Sequence, residues 1–323
     1  MSPVARWASL MALVLFGAAL LVWSRFDSDL QLAAARVARG SVVIDTRCGP
    51  IEYQEAGTGA ALLMVHGSGG GHDQGMAFAG DLARQGIRVI AMSRFGYLRT
   101  PRPADASPAA QADAHVCLLD ALGIRQAAVV GGSAGAPSAM QMAIRHPARV
   151  SALVLLVPLA YKPATVADSA SPLAAPAEAM LMRLIGSDLL FWTRLHVARD
   201  QVIRYVLATP PQQVAAASPQ ERARVNAILD AILPVSARAA GLRDDSVLGK
   251  RLPSYPLESI RAPTLVISTR DDGFGTYASA QYTASRIAGA KFIGYDRGGH
   301  VWVGHDEEVR AEIVKLLASR GTP

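Results

Sequence analysis

Two cysteines in 323 residues, Cys48 and Cys117, are too few for a disulfide framework, and their spacing is not that of a zinc site. Cys48 lies in an extended stretch. Cys117 falls in the apolar pattern of a helix, where it reads as a plain buried thiol, and whether the two pair is open, so they do not report on redox compartment. Runs of like charge are also missing. The net charge of +6 comes mostly from arginines scattered along the chain, with no run of five or more. It reads as a solvated basic surface that excludes a nucleic-acid partner, though acidic membrane lipids would attract it. There is no internal repeat and no low-complexity linker. The 28 glycines include no G-x-G-x-x-G spacing, and no Lys-Ser/Thr follows them, which disfavours dinucleotide and phosphate-loop folds.

The composition that remains, 51% hydrophobic and 18% charged, can bury a large core and has no disorder-like bias. One catalytic domain with an insertion fits the length.

The N-terminus differs from the rest. From Trp7 to Trp23 the run WASLMALVLFGAALLVW carries no charge, follows Arg6 and ends just before Arg25. At about 1.5 Å per helical residue it is near the lower limit for crossing a bilayer. It is a retained anchor, a cleaved signal peptide, or a helix packed on the soluble domain. Val22-Trp23-Ser24 is a poor cleavage site, and Ala33-Ala34-Ala35 lies far beyond the apolar run, so a single-pass anchor over residues 1–24 with a stem over 25–40 is expected. Arg25, Arg36 and Arg39 beyond the run outnumber Arg6 plus the amino terminus before it, but short amino termini usually stay inside. The balance tips towards an extracytoplasmic catalytic domain.

After a helix-compatible stem from Asp27 to Arg39, short β-rich runs alternate with helical stretches, the pattern of a mainly parallel sheet with helices on both faces. Extended segments at Ser41–Arg47 and Ile51–Ala56 form a possible antiparallel pair. Buried strands follow at Ala61–Val65, Ile87–Met92, Ala127–Gly131 and Ser151–Val157. Helices are expected at Gln74–Arg84, Pro108–Leu122 and Ala134–His146, each ended by a stop signal: Gly86, Gly123 and Pro147. From Tyr161 to Pro256 the alternation stops, and only helical patterns occur, around Pro176–Ile185, Leu189–Ala208 and Gln220–Leu233. Strands return at Thr264–Ser268 and Lys291–Tyr295, with helices at Thr276–Ala288 and Glu307–Ala318.

The chemistry is concentrated at a strand, a sharp turn and a helix: Ala127 to Val130, then Gly131-Gly132-Ser133-Ala134-Gly135, then Ala136 to His146. A serine is a poor nucleophile unless it is exposed beside a base, and small neighbours let a strained turn lift its hydroxyl above the sheet. From Ser41 onwards the chain resembles the α/β-hydrolase superfamily, in the branch with a helical cap after the sixth strand. Three further motifs match in order. His66-Gly67-Ser68-Gly69-Gly70-Gly71 stands at the family's oxyanion loop. Thr269-Arg270-Asp271-Asp272 stands at the turn of the triad acid, although many relatives have glycine where Thr269 is. Gly298-Gly299-His300 stands at the loop of the base.

The resemblance implies an eight-stranded, mainly parallel sheet built from residues 41–160 and 257–323, with a cap over 161–256. It makes Ser133 the nucleophile, His300 the base and Asp272 the acid, with the backbone N–H groups of Ser68 and Ala134 as oxyanion donors. Asp271 is expected to turn to solvent or cap the loop near Gly273, and Asp296 is a third candidate acid. His66 reads as a loop organiser, Arg94-Phe95-Gly96-Tyr97 as a structural turn. His72, His115, His146, His196 and His305 read as surface or capping residues, with His305 the second choice of base. Apolar residues of the insertion, Met180, Met182, Phe191, Trp192 and Tyr205, read as helix packing rather than substrate contacts.

The expected activity is hydrolysis of carboxylic esters of small or medium apolar substrates through an acyl-enzyme. No metal or organic cofactor is implied. Amidase, proline iminopeptidase, carbon–carbon bond hydrolase and haloperoxidase chemistry occur on the same scaffold, as do non-catalytic binding modules. Serine at the elbow, rather than aspartate, argues against haloalkane dehalogenase and epoxide hydrolase chemistry. The sequence leaves the oligomeric state open.

Overall fold

The computed structural model describes residues 2–163, 186–250 and 252–318. Eight strands form one sheet: β1 (Val42–Thr46), β2 (Gly49–Ala56), β3 (Ala60–Val65), β4 (Ile87–Met92), β5 (Ala127–Gly132), β6 (Val150–Leu156), β7 (Thr264–Thr269) and β8 (Lys291–Tyr295). Their order is β1-β2-β4-β3-β5-β6-β7-β8. The opening pair is antiparallel, as the sequence suggests, and β2 is antiparallel to β4. All other neighbours are parallel. Eleven α-helices are seen among the described residues, and those that cover the sheet are α2 (His72–Ala79), α3 (Pro108–Ala121), α4 (Ala136–Arg145), α10 (Thr276–Arg286) and α11 (Asp306–Ala318).

Because side chains alternate across a strand, each apolar run feeds two cores. Leu63, Val65, Val129, Leu153, Leu155 and Val266 face α3, α4 and α10. Leu62, Met64, Val130, Val154, Leu156 and Ile267 face the other way, against Ala79, Leu82, Val309 and Ile313. The parallel strands therefore all end at one edge of the sheet, where ligands of open α/β sheets bind.

Between β6 and β7 the described residues hold no strand. They form α5 (Asp188–Val197), α6 (Arg199–Tyr205), α7 (Pro211–Ala216), α8 (Pro219–Asp230) and α9 (Ala239–Lys250). The helix expected over Leu189–Ala208 is broken at Ala198, which leaves helical geometry with φ −147° and ψ 41°. The expected helix at Pro176–Ile185, with Met180 and Met182, lies outside the described residues. Phe191 and Trp192 pack inside this helical layer, whereas Tyr205 is exposed.

The apolar run and the stem are one helix, α1 (Pro3–Ala38), capped by the Ser2 hydroxyl on the Ala5 N–H and started by Pro3. Its two halves have opposite surroundings. An 18-residue apolar window is wholly unburied, while Phe26 and Ala33 sink into the core of the helical layer beside Trp192 and Ile232. Polar contacts fix that lower half. Trp192 Nε1 donates to Asp29 at 2.9 Å. Arg36 donates to the Ala231 and Leu233 carbonyls at 3.2 and 2.5 Å, closing free C=O groups after α8. His72 Nε2 meets the Val37 carbonyl at 2.9 Å. The stem is thus a docked element and not a free polar spacer.

Two further expectations are corrected. Cys117 is not a free thiol: it is bonded to Cys48, tying the β1–β2 turn to α3. The apolar pattern around Cys117 hides the pairing, since its partner is 69 residues away. His72 and His115 are fully buried rather than at the surface. His115 Nε2 is 3.0 Å from the Ser138 hydroxyl, joining α3 to α4.

Candidate active site

Ser133 follows β5 directly and has φ +47°, a left-handed conformation that costs a non-glycine residue on the order of 1–3 kcal/mol. Close packing on both sides enforces it. A Cβ on Gly135 would lie 2.4 Å from the Val65 carbonyl, and one on Gly131 would lie 2.7 Å from Ala139 Cβ. The glycines allow α4 to start hard against β5 and β3, so the chain between them must turn sharply and expose the serine.

Asp272 lies in the turn after β7 and His300 in the loop after β8. His300 Nε2 is 2.9 Å from Ser133 Oγ, and His300 Nδ1 is 2.8 Å from Asp272 Oδ2. The Asp272 side chain is fully buried and that of His300 nearly so. The other Asp272 oxygen accepts the Phe274 N–H at 2.9 Å, and the Thr276 hydroxyl donates to Oδ2. A buried carboxylate so satisfied is fixed in place. It favours the imidazole tautomer with the proton on Nδ1, which leaves Nε2 to take a proton from Ser133. The Phe274 ring meets the imidazole edge-on at 4.8 Å.

Asp271 neither faces solvent nor caps near Gly273. Its Oδ1 accepts the Gly299 N–H at 2.9 Å, and Gln213 of α7 donates to its Oδ2. The same Gln213 accepts the Gly298 N–H at 2.9 Å. Thr269, where relatives have glycine, donates its hydroxyl to the Gly299 carbonyl at 2.8 Å. Three side chains therefore hold the base loop. Asp296 pairs with Arg270 at the surface, 90% exposed, and His305 contacts Glu308 and stacks on Tyr295, so neither meets Ser133.

The loop after β3 abuts the elbow: a Cβ on Gly67 would lie 3.1 Å from Ser133 Cβ. Ser68 follows Gly67 in that loop, and Ala134 follows Ser133 in the short turn between β5 and α4. His66 is fully buried. Its Nδ1 donates to the Gly67 carbonyl at 2.7 Å and its Nε2 accepts the Arg94 N–H at 2.9 Å. Burial, with Arg94 nearby, pushes its pKa far below the ordinary 6.5, so it stays neutral and holds the loop.

A feature absent from the sequence reading lies behind Ser68. The Ser68 hydroxyl donates to Asp245 of α9 at 2.8 Å. Arg94 grips the same carboxylate with two N–H groups at 2.9 and 2.6 Å, and the Tyr97 hydroxyl donates at 2.5 Å. Beside this cluster is a cavity of about 430 Å³ with Ala134, Phe95, Gln111 and Leu248 on its wall; Ser133 and His300 are not among its lining residues. Nothing in the spacing of Asp245 points to it, because its partners are 148 to 177 residues away. The same holds for Gln213.

The arrangement is a serine hydroxyl, an imidazole and a carboxylate in one hydrogen-bonded line, with the loop after β3 packed against the serine. Such a set can attack an electrophilic carbonyl, hold the resulting oxyanion and return a proton to a leaving group. Comparisons with known proteins agree with the architecture. The family described as alpha/beta hydrolase fold matches residues 60–303. The 2-hydroxymuconate semialdehyde hydrolase of Pseudomonas putida is 42% identical over 105 residues, 32% of this chain and 37% of that enzyme. The chain thus spans little more than a third of the length of this relative. The 2-hydroxy-6-oxononadienedioate/2-hydroxy-6-oxononatrienedioate hydrolase of Paraburkholderia xenovorans strain LB400 is 28% identical over 280 residues, covering 83% of this chain and 90% of that enzyme. Among solved structures, an alpha/beta hydrolase fold protein from Nakamurella multipartita superposes with a TM-score of 0.69 at 30% identity, covering 87% of this chain and 100% of that one.

Proposed function

Since the chain belongs to the alpha/beta hydrolase fold family, we propose that it is a serine hydrolase acting through an acyl-enzyme at Ser133 on carboxylic esters of small or medium apolar substrates. The observation that carries this reading is the unbroken line Asp272–His300–Ser133, at 2.8 and 2.9 Å, assembled from the ends of three different strands. Ser133 Oγ attacks the ester carbonyl while His300 Nε2 takes its proton. The Ser68 and Ala134 N–H groups receive the negative oxygen, and Asp272 balances the imidazolium. Collapse expels the alcohol with the proton from His300. Water, deprotonated by His300, then attacks the acyl carbonyl and frees the acid and Ser133.

A second reading has specific support. The relatives from Pseudomonas putida and Paraburkholderia xenovorans are hydrolases named for a semialdehyde and for a dienedioate or trienedioate, respectively. The same residues would then cleave a carbon–carbon bond beside a ketone. A panel of p-nitrophenyl esters of increasing acyl length, run beside a 2-hydroxy-6-oxo-dienoate, separates the two. Ester turnover at least a hundredfold faster than dienoate cleavage is expected, and the reverse ranking would select the second reading.

The helices α5 to α9, within the insertion over residues 161–256, act as the cap that closes the substrate site. The N-terminal helix is a retained membrane anchor. Its charge-free run from Trp7 to Trp23 extends about 26 Å at 1.5 Å per residue, near the lower limit for a hydrocarbon core of about 30 Å, with Arg6 and Arg25 placed to reach the two interfaces. Its continuity into the docked half supports retention, because a cut at Ala33–Ala35 would remove Phe26 and Asp29 from their seats. The Cys48–Cys117 bond supports a catalytic domain on the oxidising, extracytoplasmic side.

A further inference from the structure

Asp245 has no part in the line from Ser133 to Asp272, yet it is buried with four donors on its carboxylate. Two come from the Arg94 guanidinium, one from Tyr97 and one from Ser68. A buried carboxylate is retained only with a cation and full hydrogen bonding, and Arg94 with Tyr97 supplies both. The Ser68 hydroxyl is therefore not needed to stabilise Asp245. The dependence runs the other way: Ser68 is exposed, and its side chain has one anchor, at the edge of a rigid cluster.

That cluster is seated with little freedom. The Gly241 N–H donates to the Gly96 carbonyl at 3.0 Å and the Leu98 N–H to the Ala237 carbonyl at 2.8 Å. A Cβ on Gly241 would lie 2.0 Å from the Tyr97 ring. Asp245 is four residues after Gly241, on the same face of α9. The helix thus presents its carboxylate to Ser68 from a fixed distance.

We propose that Asp245 is a positioning residue for the oxyanion site: it holds the Ser68 side chain so that the Ser68 N–H points at the oxygen that becomes negative, and so ties acyl transfer to the seating of α9. The inference rests on Ser133 being the nucleophile. An oxyanion donor works only if it is aimed before the charge develops, and displacement by about half an ångström is enough to weaken it.

The test uses the full chain, comparing wild type, Ser68→Ala, Asp245→Asn and the double variant on one p-nitrophenyl ester. The affinity of a trifluoromethyl ketone, whose adduct with the serine carries the same oxyanion, is measured alongside. Ser68→Ala leaves the Arg94–Asp245–Tyr97 cluster whole, so wild-type melting is expected with kcat reduced roughly tenfold and KM little changed. Asp245→Asn is expected to lower kcat by roughly ten- to a hundredfold, and the double variant to be no worse than Asp245→Asn alone. Ketone affinity should fall in parallel. Wild-type kcat in Ser68→Ala overturns the proposal even if Asp245→Asn fails to fold. Losses that multiply in the double variant also overturn it, since Asp245 would then act without Ser68. Turnover that survives Ser133→Ala would instead remove the serine-hydrolase reading itself.

Discussion

A serine hydroxyl holds its proton far above neutral pH, so what matters at Ser133 is the imidazole 2.9 Å away and the carboxylate behind it. The two adjacent aspartates divide the labour. Asp272 touches the imidazole, and Asp271 holds the loop that carries it. Asp272→Asn is expected to lower kcat by about four orders of magnitude with the protein folded, because an amide favours the wrong tautomer. Asp271→Asn retains an oxygen for the Gly299 N–H and should lose less than tenfold, whereas Asp271→Ala leaves that N–H and the Gln213 Nε2 group without their partner and should lose more. Steady-state kinetics of the three variants checks the order; equal losses in both Asn variants would contradict the division. Asp272 was legible from its place in the motif. The role of Asp271 was not, because the chain turns at Arg270 and alternation along a strand no longer tells where a side chain points.

Buried histidines set a pH limit on stability. Burial, with the Arg94 charge nearby, lowers the His115 pKa from 6.5 to about 3. Between those values the unfolded chain binds the extra proton, so stability is full above pH 6.5 and is lost as pH falls. At pH 5 this one residue costs about 2 kcal/mol, and neutral His66 acts in the same direction. Chemical denaturation at pH 7.5 and 5 should show a smaller difference for His115→Gln than for wild type. An unchanged difference would show that His115 is not the source.

At the scale of elements, the strands and most helices on the sheet follow from apolar runs and their stop signals and lie close to where the sequence puts them, but the helix expected over Gln74–Arg84 is an α-helix only over His72–Ala79 and continues as a 3-10 helix over Gly80–Gln85. The helices after β6 are less legible. Leu189–Ala208 reads as one helix because its apolar spacing continues through Ala198, and no glycine or proline marks the break there. The short α7 and the weakly apolar α9 carry Gln213 and Asp245. Both side chains have long-range partners that no local pattern encodes.

The stem of α1 is the other surprise. Its polar residues suggest exposure, but Asp29 and Arg36 are paired with the helical layer while Phe26 and Ala33 fill it. Phe26→Ala should cost about 3 kcal/mol and lower the melting temperature in detergent. Phe16→Ala, in the exposed half, should leave melting unchanged. Equal effects of the two would mean that the lower half of α1 is not docked.

For the whole molecule, α1 and the disulfide bear on the same question of side. The full-length chain should stay with membranes in carbonate, and Cys48 and Cys117 should resist alkylation until reduced. Release of the protein by carbonate contradicts the anchor, and free thiols in the protein as made in cells contradict an oxidising location. Closing a loop over a separation of 69 residues is worth about 4 kcal/mol in chain-entropy terms, so reduction should also lower the melting temperature.

The central claim, that acyl transfer runs through Ser133 and the line behind it, is tested most directly by one paired measurement on full-length protein. Wild type and Ser133→Ala are treated with a fluorophosphonate probe, the labelled peptide is mapped, and turnover of a p-nitrophenyl ester is measured on the same samples. The expected result is a single label on Ser133, no label on the variant, and turnover reduced by roughly six orders of magnitude in a variant that melts like wild type. Labelling at another serine, or ester turnover that survives in Ser133→Ala, would contradict it.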